Sequence, residues 1–236
     1  MNRIYQNQIL KIGYEIQLDP SASQHVLNVL RLRIDEKLIV FNGTGGEYHA
    51  TLVGIVKNLA RICIDKFDAV DREPTLAIHL GQCLSRGERM DYAIQKSVEV
   101  GVTEITPLLA TRCNVKIQEE RLDKRLTHWR HIVISACEQS GRTCIPTLNP
   151  PMALRDWVMQ CQGVNVVADF NHEEITLDAL TKHINLLIGP EGGLTTDEIE
   201  FAKAHHFKSL CLGPLTLRTE TAPIVAITQL QIRALR

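Results

Sequence analysis

The chain has 236 residues, 44% of them hydrophobic and 22% charged, with a formal net charge of -1 at pH 7. This length suits one large domain or two modest ones, and the composition is ordinary for a soluble globular protein. A net charge near zero excludes a bulk basic field, so any nucleic-acid binding must use local patches. No stretch approaches the roughly 20 apolar residues of a membrane span, and the amino terminus does not resemble a secretory signal. A cytoplasmic protein is therefore expected.

The first part of the chain, residues 1–72, has the pattern of a small β-rich domain. The sequence ASQHVLNVLRL predicts a short helix, and KLIVFNGTGGEYHATLVGI predicts two strands joined by a glycine turn. A further strand, ARICIDKFDAV, places Ala60, Ile62 and Ile64 on one side. Charged residues and Pro74 then mark a linker, and the remainder, residues 73–236, forms the second predicted domain.

Strands and helices alternate after Pro74. TLAIHLGQCL, EITPLLA, VNVVADF, INLLIG and SLCLG are predicted strands. GERMDYAIQKSVEVGV, ERLDKRLTHWRHIVISACEQSG, TLDALTKH and a carboxyl-terminal segment from Ala222 to Leu235 are predicted helices. This alternation predicts an α/β domain, with a parallel sheet that helices cover on both faces.

The stretch LLIGPEGGLTTDEIE indicates a ligand site at a strand end. Thr195 and Glu198 predict a capping box at the start of a helix, so the glycines lie where open α/β sheets bind ligands. A phosphate is disfavoured because no Lys-Ser or Lys-Thr follows the glycines and because Glu191 is acidic. A neutral base or a cation suits this loop better, and a tight connection without a ligand remains the alternative.

A second segment, SLCLGPLTLRTETAPIVAITQLQIRAL, repeats the order of strand, Gly-Pro turn and helix. The two turns predict two walls of one pocket. The last helix is apolar almost all round, which indicates burial, and its position at the end of the chain suggests burial against a second subunit.

The pair IGPEGGLTTDEI and LGPLTLRTETA resembles motifs of the SPOUT methyltransferases, and most closely those of the RsmE family, the bacterial 16S ribosomal RNA uracil-N3 methyltransferases. QHVLNVLRLRI, VFNG, QKSVEVGVTEITPLLATRC and EQSGR resemble the same family, so the similarity spans nearly the whole chain. The LTL within the second motif is a departure at a variable site.

The resemblance implies a PUA-like β-barrel that helps to bind RNA, followed by a SPOUT domain with a trefoil knot. It implies S-adenosylmethionine (SAM) as cofactor, 16S rRNA of the small ribosomal subunit as substrate, and a homodimer. Nine positions are the expected cofactor-binding residues: Ile188, Gly189, Pro190, Glu191, Gly192, Gly193, Leu212, Gly213 and Leu217. SAM carries a sulfonium cation and no phosphate, which agrees with an acidic Gly-Pro loop that lacks lysine.

Two residues are candidates for the chemistry. Arg218 would stabilise charge that develops on the uracil oxygens; alternatively it only caps a helix or pairs with Glu220. Glu191 would act as a base or as a partner of a cation, or merely stabilise its turn. The candidates for RNA contact are Arg3, Arg31, Arg33, Arg112 and Arg142, with Glu138 expected to orient Arg142.

Two other functions remain open at this stage. One is a SPOUT methyltransferase that acts on transfer RNA or a ribose hydroxyl, and the other is a non-catalytic RNA-binding protein of ribosome assembly. No metal site is expected, because no carboxylate stands at ligand spacing from the nine scattered histidines. The seven cysteines include no C-x-x-C, which predicts free thiols.

Overall fold

The computed structural model describes residues 2–115, 119–171, 173, 175 and 181–234. Most of the predicted helix TLDALTKH lies outside the described residues. Leu235, the last residue of the predicted carboxyl-terminal helix, also lies outside them. The chain divides into two compact units. The first comprises Met1–Glu73 and Cys137–Ile145, and the second comprises Pro74–Ala136 and Pro146–Arg236.

The first unit contains a five-stranded sheet in the order β1-β3-β4-β5-β2. Its strands are β1 (Arg3–Tyr5), β2 (Glu15–Gln17), β3 (Lys37–Phe41), β4 (Glu47–Val56) and β5 (Leu59–Asp68). Helix α1 (Pro20–Gln24) begins at the side-chain cap of Asp19 and continues as a π-helical turn over His25–Val29. Ala60, Ile62 and Ile64 are fully buried, which confirms the predicted inner face of β5.

The glycine turn between β3 and β4 is a steric requirement of this unit. Gly46 has a φ of 68°, and a Cβ atom at this position would lie 2.4 Å from the ring of Phe67. An L side chain would therefore meet both an unfavourable backbone conformation and a clash. The predicted strand–turn–strand pattern is confirmed.

The second unit contains a seven-stranded sheet, with the order β12-β10-β11-β6-β7-β8 and with β9 paired to β7. All of its strand pairs are parallel. The strands are β6 (Ala77–Cys83), β7 (Glu104–Leu109), β8 (Thr147–Leu148), β9 (Met152–Ala153), β10 (Val164–Ala168), β11 (His183–Ile188) and β12 (Phe207–Leu210). The helices are α2 (Glu88–Glu99), α3 (Glu119–Ser140), α4 (Leu154–Gln160), α5 (Thr196–Ala204) and α6 (Ala222–Ala234). The last four residues of α3, from Cys137, belong to the first unit.

The predicted α/β class is confirmed: α2 separates β6 from β7, α3 separates β7 from β8, α4 separates β9 from β10, and α5 separates β11 from β12. β11 lies between β10 and β6, and its residues from Ile184 to Ile188 are buried, as expected for a central strand. The short β1, β2, β8 and β9 and helix α4 were not predicted. Within the described residues, no helix is long and apolar enough to cross a membrane.

The capping box that was predicted at α5 is present. The Thr195 hydroxyl accepts a hydrogen bond from Glu198 N at 3.2 Å, and the Glu198 carboxylate accepts one from Thr195 N at 2.8 Å. The other carboxylate oxygen of Glu198 accepts from Thr111 N at 2.7 Å, which fixes the chain that follows β7 against this helix. Burial opposes the charge of Glu198, but these backbone donors outweigh it and lower the pKa of the carboxyl.

Candidate functional site

A pocket of about 700 Å³ lies at the carboxyl ends of β10, β11 and β12. These strands are neighbours in the parallel sheet, so the loops that follow them meet at one edge. The pocket is lined by Ala168–Phe170 after β10, by most of residues 188–194 after β11, and by Leu212–Glu220 except Pro214 after β12. The two Gly-Pro loops therefore form walls of one cavity, as the sequence predicted.

Eight of the nine predicted cofactor residues line this pocket: Ile188, Gly189, Pro190, Glu191, Gly193, Leu212, Gly213 and Leu217. Gly192 does not. It packs on Arg112, whose guanidinium donates to Gly192 O at 3.1 Å. A Cβ atom on Gly192 would lie 3.2 Å from the Arg112 Cβ, so the arginine holds the glycine loop closely.

Thr219 connects the two loops. Its hydroxyl donates to Gly189 O at 2.7 Å and accepts from the buried amide of Gln82 at 3.1 Å. Gln82 lies on β6, the strand next to β11, so three segments distant in sequence are joined by two hydrogen bonds. Neither Thr219 nor Gln82 carries a local sequence signal, so neither was predicted as a site residue.

Glu191 lies in the pocket and is held by two donors from the chain after β6. Its Oε1 accepts from Arg86 N at 3.2 Å and from the Arg89 guanidinium at 3.3 Å. Its Oε2 is buried and has no hydrogen-bond partner among the described residues. A buried carboxylate oxygen without a donor favours a cationic or hydrogen-bonding ligand at that position.

Asp169 and Phe170 add a part of the pocket that the sequence analysis did not identify. The Asp169 carboxylate accepts from Phe170 N at 2.8 Å and from the Ser209 hydroxyl at 3.0 Å. Burial raises its pKa, but the hydrogen bonds from Asn171, Phe170 and Ser209 and the charge of Lys203 lower it overall, so the group is ionised at neutral pH. The Phe170 side chain is 67% exposed at the pocket.

Arg218 lines the same pocket just before α6, and its side chain is 78% exposed. Its nearest acidic partner is Glu220, at 3.9 Å, which is too long for a tight hydrogen-bonded pair. Most of the guanidinium therefore faces solvent. The Arg112 guanidinium, by contrast, is held by its hydrogen bond to Gly192 O.

The five arginines predicted to contact RNA differ in their surroundings. Arg31 and Arg33 are exposed. Arg3 pairs with Glu47, donates to Arg142 O at 2.8 Å and lies over the Phe41 ring. Arg142 is buried and donates to the Glu73 carboxylate from Nε at 3.0 Å. The surroundings of Arg3 and Arg142 are therefore those of structural residues of the first unit.

Within the described residues, the carboxylate that pairs with Arg142 is Glu73 and not Glu138, which EQSGR had suggested. The Glu138 Oε1 accepts from Tyr5 N at 2.9 Å, whereas Glu73 is the carboxylate that holds Arg142. Burial raises the pKa of Glu138, and the Tyr5 amide lowers it in part.

The fold and the pocket define an RNA methyltransferase with an additional PUA domain. The family model for the RNA methyltransferase domain matches residues 71–231, and the model for the RNA methyltransferase PUA domain matches residues 18–62. Ribosomal RNA small subunit methyltransferase E of Buchnera aphidicola (subspecies Schizaphis graminum) is 39% identical over 98% of this chain and 96% of its own. The chain belongs to the ribosomal RNA small subunit methyltransferase E family, as its motifs indicated.

Two solved structures support the same fold. A methyltransferase from Legionella pneumophila in complex with SAM has a TM-score of 0.93 and 40% identity, with coverage of 98% of this chain and 96% of that chain. Ribosomal RNA small subunit methyltransferase E from Neisseria gonorrhoeae, bound to SAM, has a TM-score of 0.91 and 38% identity over 98% and 97% of the two chains. The predicted combination of a SPOUT domain with a PUA-like domain is thereby confirmed.

Proposed function

We propose that this protein transfers the methyl group of SAM to N3 of one uridine in the 16S rRNA of the small ribosomal subunit. The observation that carries the proposal is the single pocket formed by both Gly-Pro loops, in a chain whose relatives bind SAM. The domain formed by residues 73–236 would hold the cofactor and perform the transfer, and residues 1–72 would contribute RNA binding.

The lining of the pocket fits SAM. Apolar side chains such as Leu212, Leu215 and Leu217 offer an enclosure for an adenosine. The backbone groups of the loops that follow β11 and β12 would recognise the adenine edge, and the unpartnered Oε2 of Glu191 suits a positively charged group. When bound, SAM supplies an electrophilic methyl group on a sulfonium.

The uridine must leave any base pair before its N3 can react, because N3 is part of the pairing edge. The pocket must then align N3 with the methyl carbon for an in-line displacement. Loss of the N3 proton leaves negative charge on the flanking uracil oxygens. Arg218 is the proposed donor to that charge, since its guanidinium is exposed at the pocket and is not committed to Glu220.

RNA contact outside the pocket is assigned to Arg31 and Arg33. Both are exposed, and Arg31 has a φ of 55°, so the chain turns sharply between α1 and β3. Arg112 is retained as a candidate with its main role in holding the glycine loop. A homodimer is also proposed, with α6 at the interface, because the apolar side chain of Ile232 on this helix is 50% exposed.

The test uses small subunits and free 16S rRNA from cells that lack this methylation. Purified protein and SAM are added, and the RNA is digested and mapped by mass spectrometry. A new methyl group on a single uracil, which also stops reverse transcription because N3 pairing is blocked, supports the proposal. A methyl group on a ribose or on transfer RNA, or no transfer by protein that binds SAM, would refute it.

A further inference from the structure

Three residues with metal-binding side chains meet at the edge of the parallel sheet opposite the cofactor pocket. His79 is the third residue of β6, and Glu104 and His183 are the first residues of β7 and β11. Strand register brings them together: His79 pairs with Glu104 on one side and with Asn185 on the other. His183 precedes Asn185 by two positions and so points to the same face.

The hydrogen bonds around His79 define which ring nitrogen carries the proton. The Trp157 indole N–H donates to His79 Nε2 at 3.1 Å, so Nε2 acts as an acceptor. Thr106 lies 2.7 Å from the same nitrogen, and its hydroxyl oxygen already accepts from Asn149. Because the single lone pair of Nε2 accepts the Trp157 N–H, the ring proton resides on Nδ1.

The side-chain carbonyl of Asn185 is the acceptor for the Nδ1 proton of His79. Its amide N–H groups donate to Gln162 O at 2.9 Å and to Asn165 Oδ1 at 2.8 Å, which leaves its carbonyl oxygen as the acceptor for the His79 ring. A ligating histidine in metalloproteins is held in the same way, with one N–H donated to a neighbouring acceptor.

The His79 Nε2 lone pair accepts the Trp157 N–H in this structure, so a metal ion bound there would replace that hydrogen bond. His79 Nε2 lies 3.6 Å from Glu104 Oε1, and a ligand atom of each of the three residues lies within 4.8 Å of the others. Asn149 donates to the same Glu104 oxygen at 2.6 Å and fixes its position. We propose that His79, Glu104 and His183 bind a divalent transition-metal ion, for which Zn²⁺ is the best match.

The chemistry of the three ligands supports zinc. Two imidazoles and a carboxylate form a common zinc set, with bonds of roughly 2.0–2.2 Å and a fourth position left for water. His183 is exposed and leaves a path for the ion, whereas the other two ligands are partly buried. Since β6, β7 and β11 are neighbours in the sheet, the bound ion would clamp their amino ends and stabilise the second unit.

Metal binding must change the surroundings of Trp157, because its indole donates to the nitrogen that would become a ligand. The chain has only two tryptophans, Trp157 and Trp129. In a Trp129→Phe variant, Trp157 is then the single fluorescent reporter, and its ring centroid lies 5.2 Å from that of His79.

The experiment uses full-length, untagged protein after chelator treatment. CoCl₂ is added as a spectroscopic probe, and ZnCl₂ is measured by competition with a chromophoric chelator. We expect one tightly bound ion per chain, visible cobalt d–d absorption that Zn²⁺ removes, and quenching of Trp157 by Co²⁺. His183→Ala should weaken metal binding by at least about 10-fold. Removal of a residue that only contacts a metal ligand already lowers metal affinity by about 10- to 100-fold, so loss of a ligand should cost no less.

His131→Ala is the matched control, because His131 is an exposed histidine on α3. It should bind like the wild type. His183→Ala removes an exposed side chain, and circular dichroism will verify that the variant is folded. If Trp129→Phe does not fold, cobalt absorption in the wild type still decides the question. No site of 1:1 stoichiometry, or equal affinity in wild type and His183→Ala, would overturn the proposal.

Discussion

The Thr219 hydroxyl donates to Gly189 O at 2.7 Å and thereby joins the two Gly-Pro loops that line one pocket. Gln82 donates to the same hydroxyl from β6, and its own Oε1 is buried with no hydrogen-bond partner among the described residues. The buried Thr219 hydroxyl therefore links the loop that follows β12 to the loop that follows β11.

Thr219→Val should lower both stability and SAM affinity. Valine keeps the shape of threonine but removes the donor to Gly189 O and one of the two acceptors of the Gln82 amide, which keeps its hydrogen bond to Cys83 O. The loss should cost about 1–3 kcal/mol. Thermal unfolding and calorimetric titration with SAM will measure the two effects. Thr127→Val is the control, since the exposed Thr127 hydroxyl donates to Asp123 O within the same helix, α3. Equal behaviour of the two variants would contradict the role of Thr219.

Glu191→Gln should reduce the preference for SAM over S-adenosylhomocysteine. The amide can still accept from Arg86 N, but it no longer carries the negative charge that would face a sulfonium. We expect the ratio of the two affinities to fall at least about fivefold, which corresponds to about 1 kcal/mol. A less ordered loop would weaken the binding of both ligands to a similar extent. A change in the ratio of the two affinities therefore reports the loss of the negative charge. Glu200→Gln, an exposed acid on α5, should leave the ratio unchanged.

Arg218→Ala should decrease the rate of methyl transfer by about 100-fold or more, the loss typical for removal of one transition-state donor. SAM affinity and melting temperature should change little, because the side chain is largely exposed and only loosely paired with Glu220. Single-turnover kinetics with saturating SAM is the measurement. Arg218→Lys retains the charge without the planar fork and should recover only part of the rate. A fully active Arg218→Ala would exclude the proposed role.

Cys113 should be the first cysteine to react with iodoacetamide. A hydrogen bond from the Cys83 thiol lowers the pKa of Cys113 to about 7, with help from Ala110 N at 3.3 Å, whereas burial raises the pKa values of Cys137 and Cys161 to about 12. Because the thiolate is the reactive form, labelling of Cys113 should rise as the pH increases through about 7. Peptide mass mapping at several pH values gives the midpoint.

The matched variant for that measurement is Cys83→Ala. It removes the thiol donor and should move the midpoint for Cys113 toward the ordinary range of about 8.5. If Cys211 is labelled first, the predicted order of reaction is wrong. If the labelling midpoint of Cys113 is unchanged in Cys83→Ala, Cys83 does not set the reactivity of Cys113.

Local sequence was sufficient for the main elements and for most of the pocket lining. Strand and helix alternation after Pro74, the capping box at Thr195 and the Gly-Pro loops are all encoded by neighbouring residues. In parallel sheets the carboxyl ends of strands share an edge, so two loops recognised separately could be placed in one pocket. Eight predicted cofactor residues accordingly line it.

Contacts across the sheet could not be predicted, because parallel strands are joined by long crossovers and their register is set by the packed core. Register alone brings His79 beside Glu104 and Asn185, although no motif connects them. Arg142 likewise looked like an RNA-binding residue in the sequence, until folding buried it against Glu73. The sequence by itself determined the fold class, the family and the loops of the site. The tertiary structure decided which charges are paired and which remain exposed, since pairing and burial depend on residues far apart in the chain.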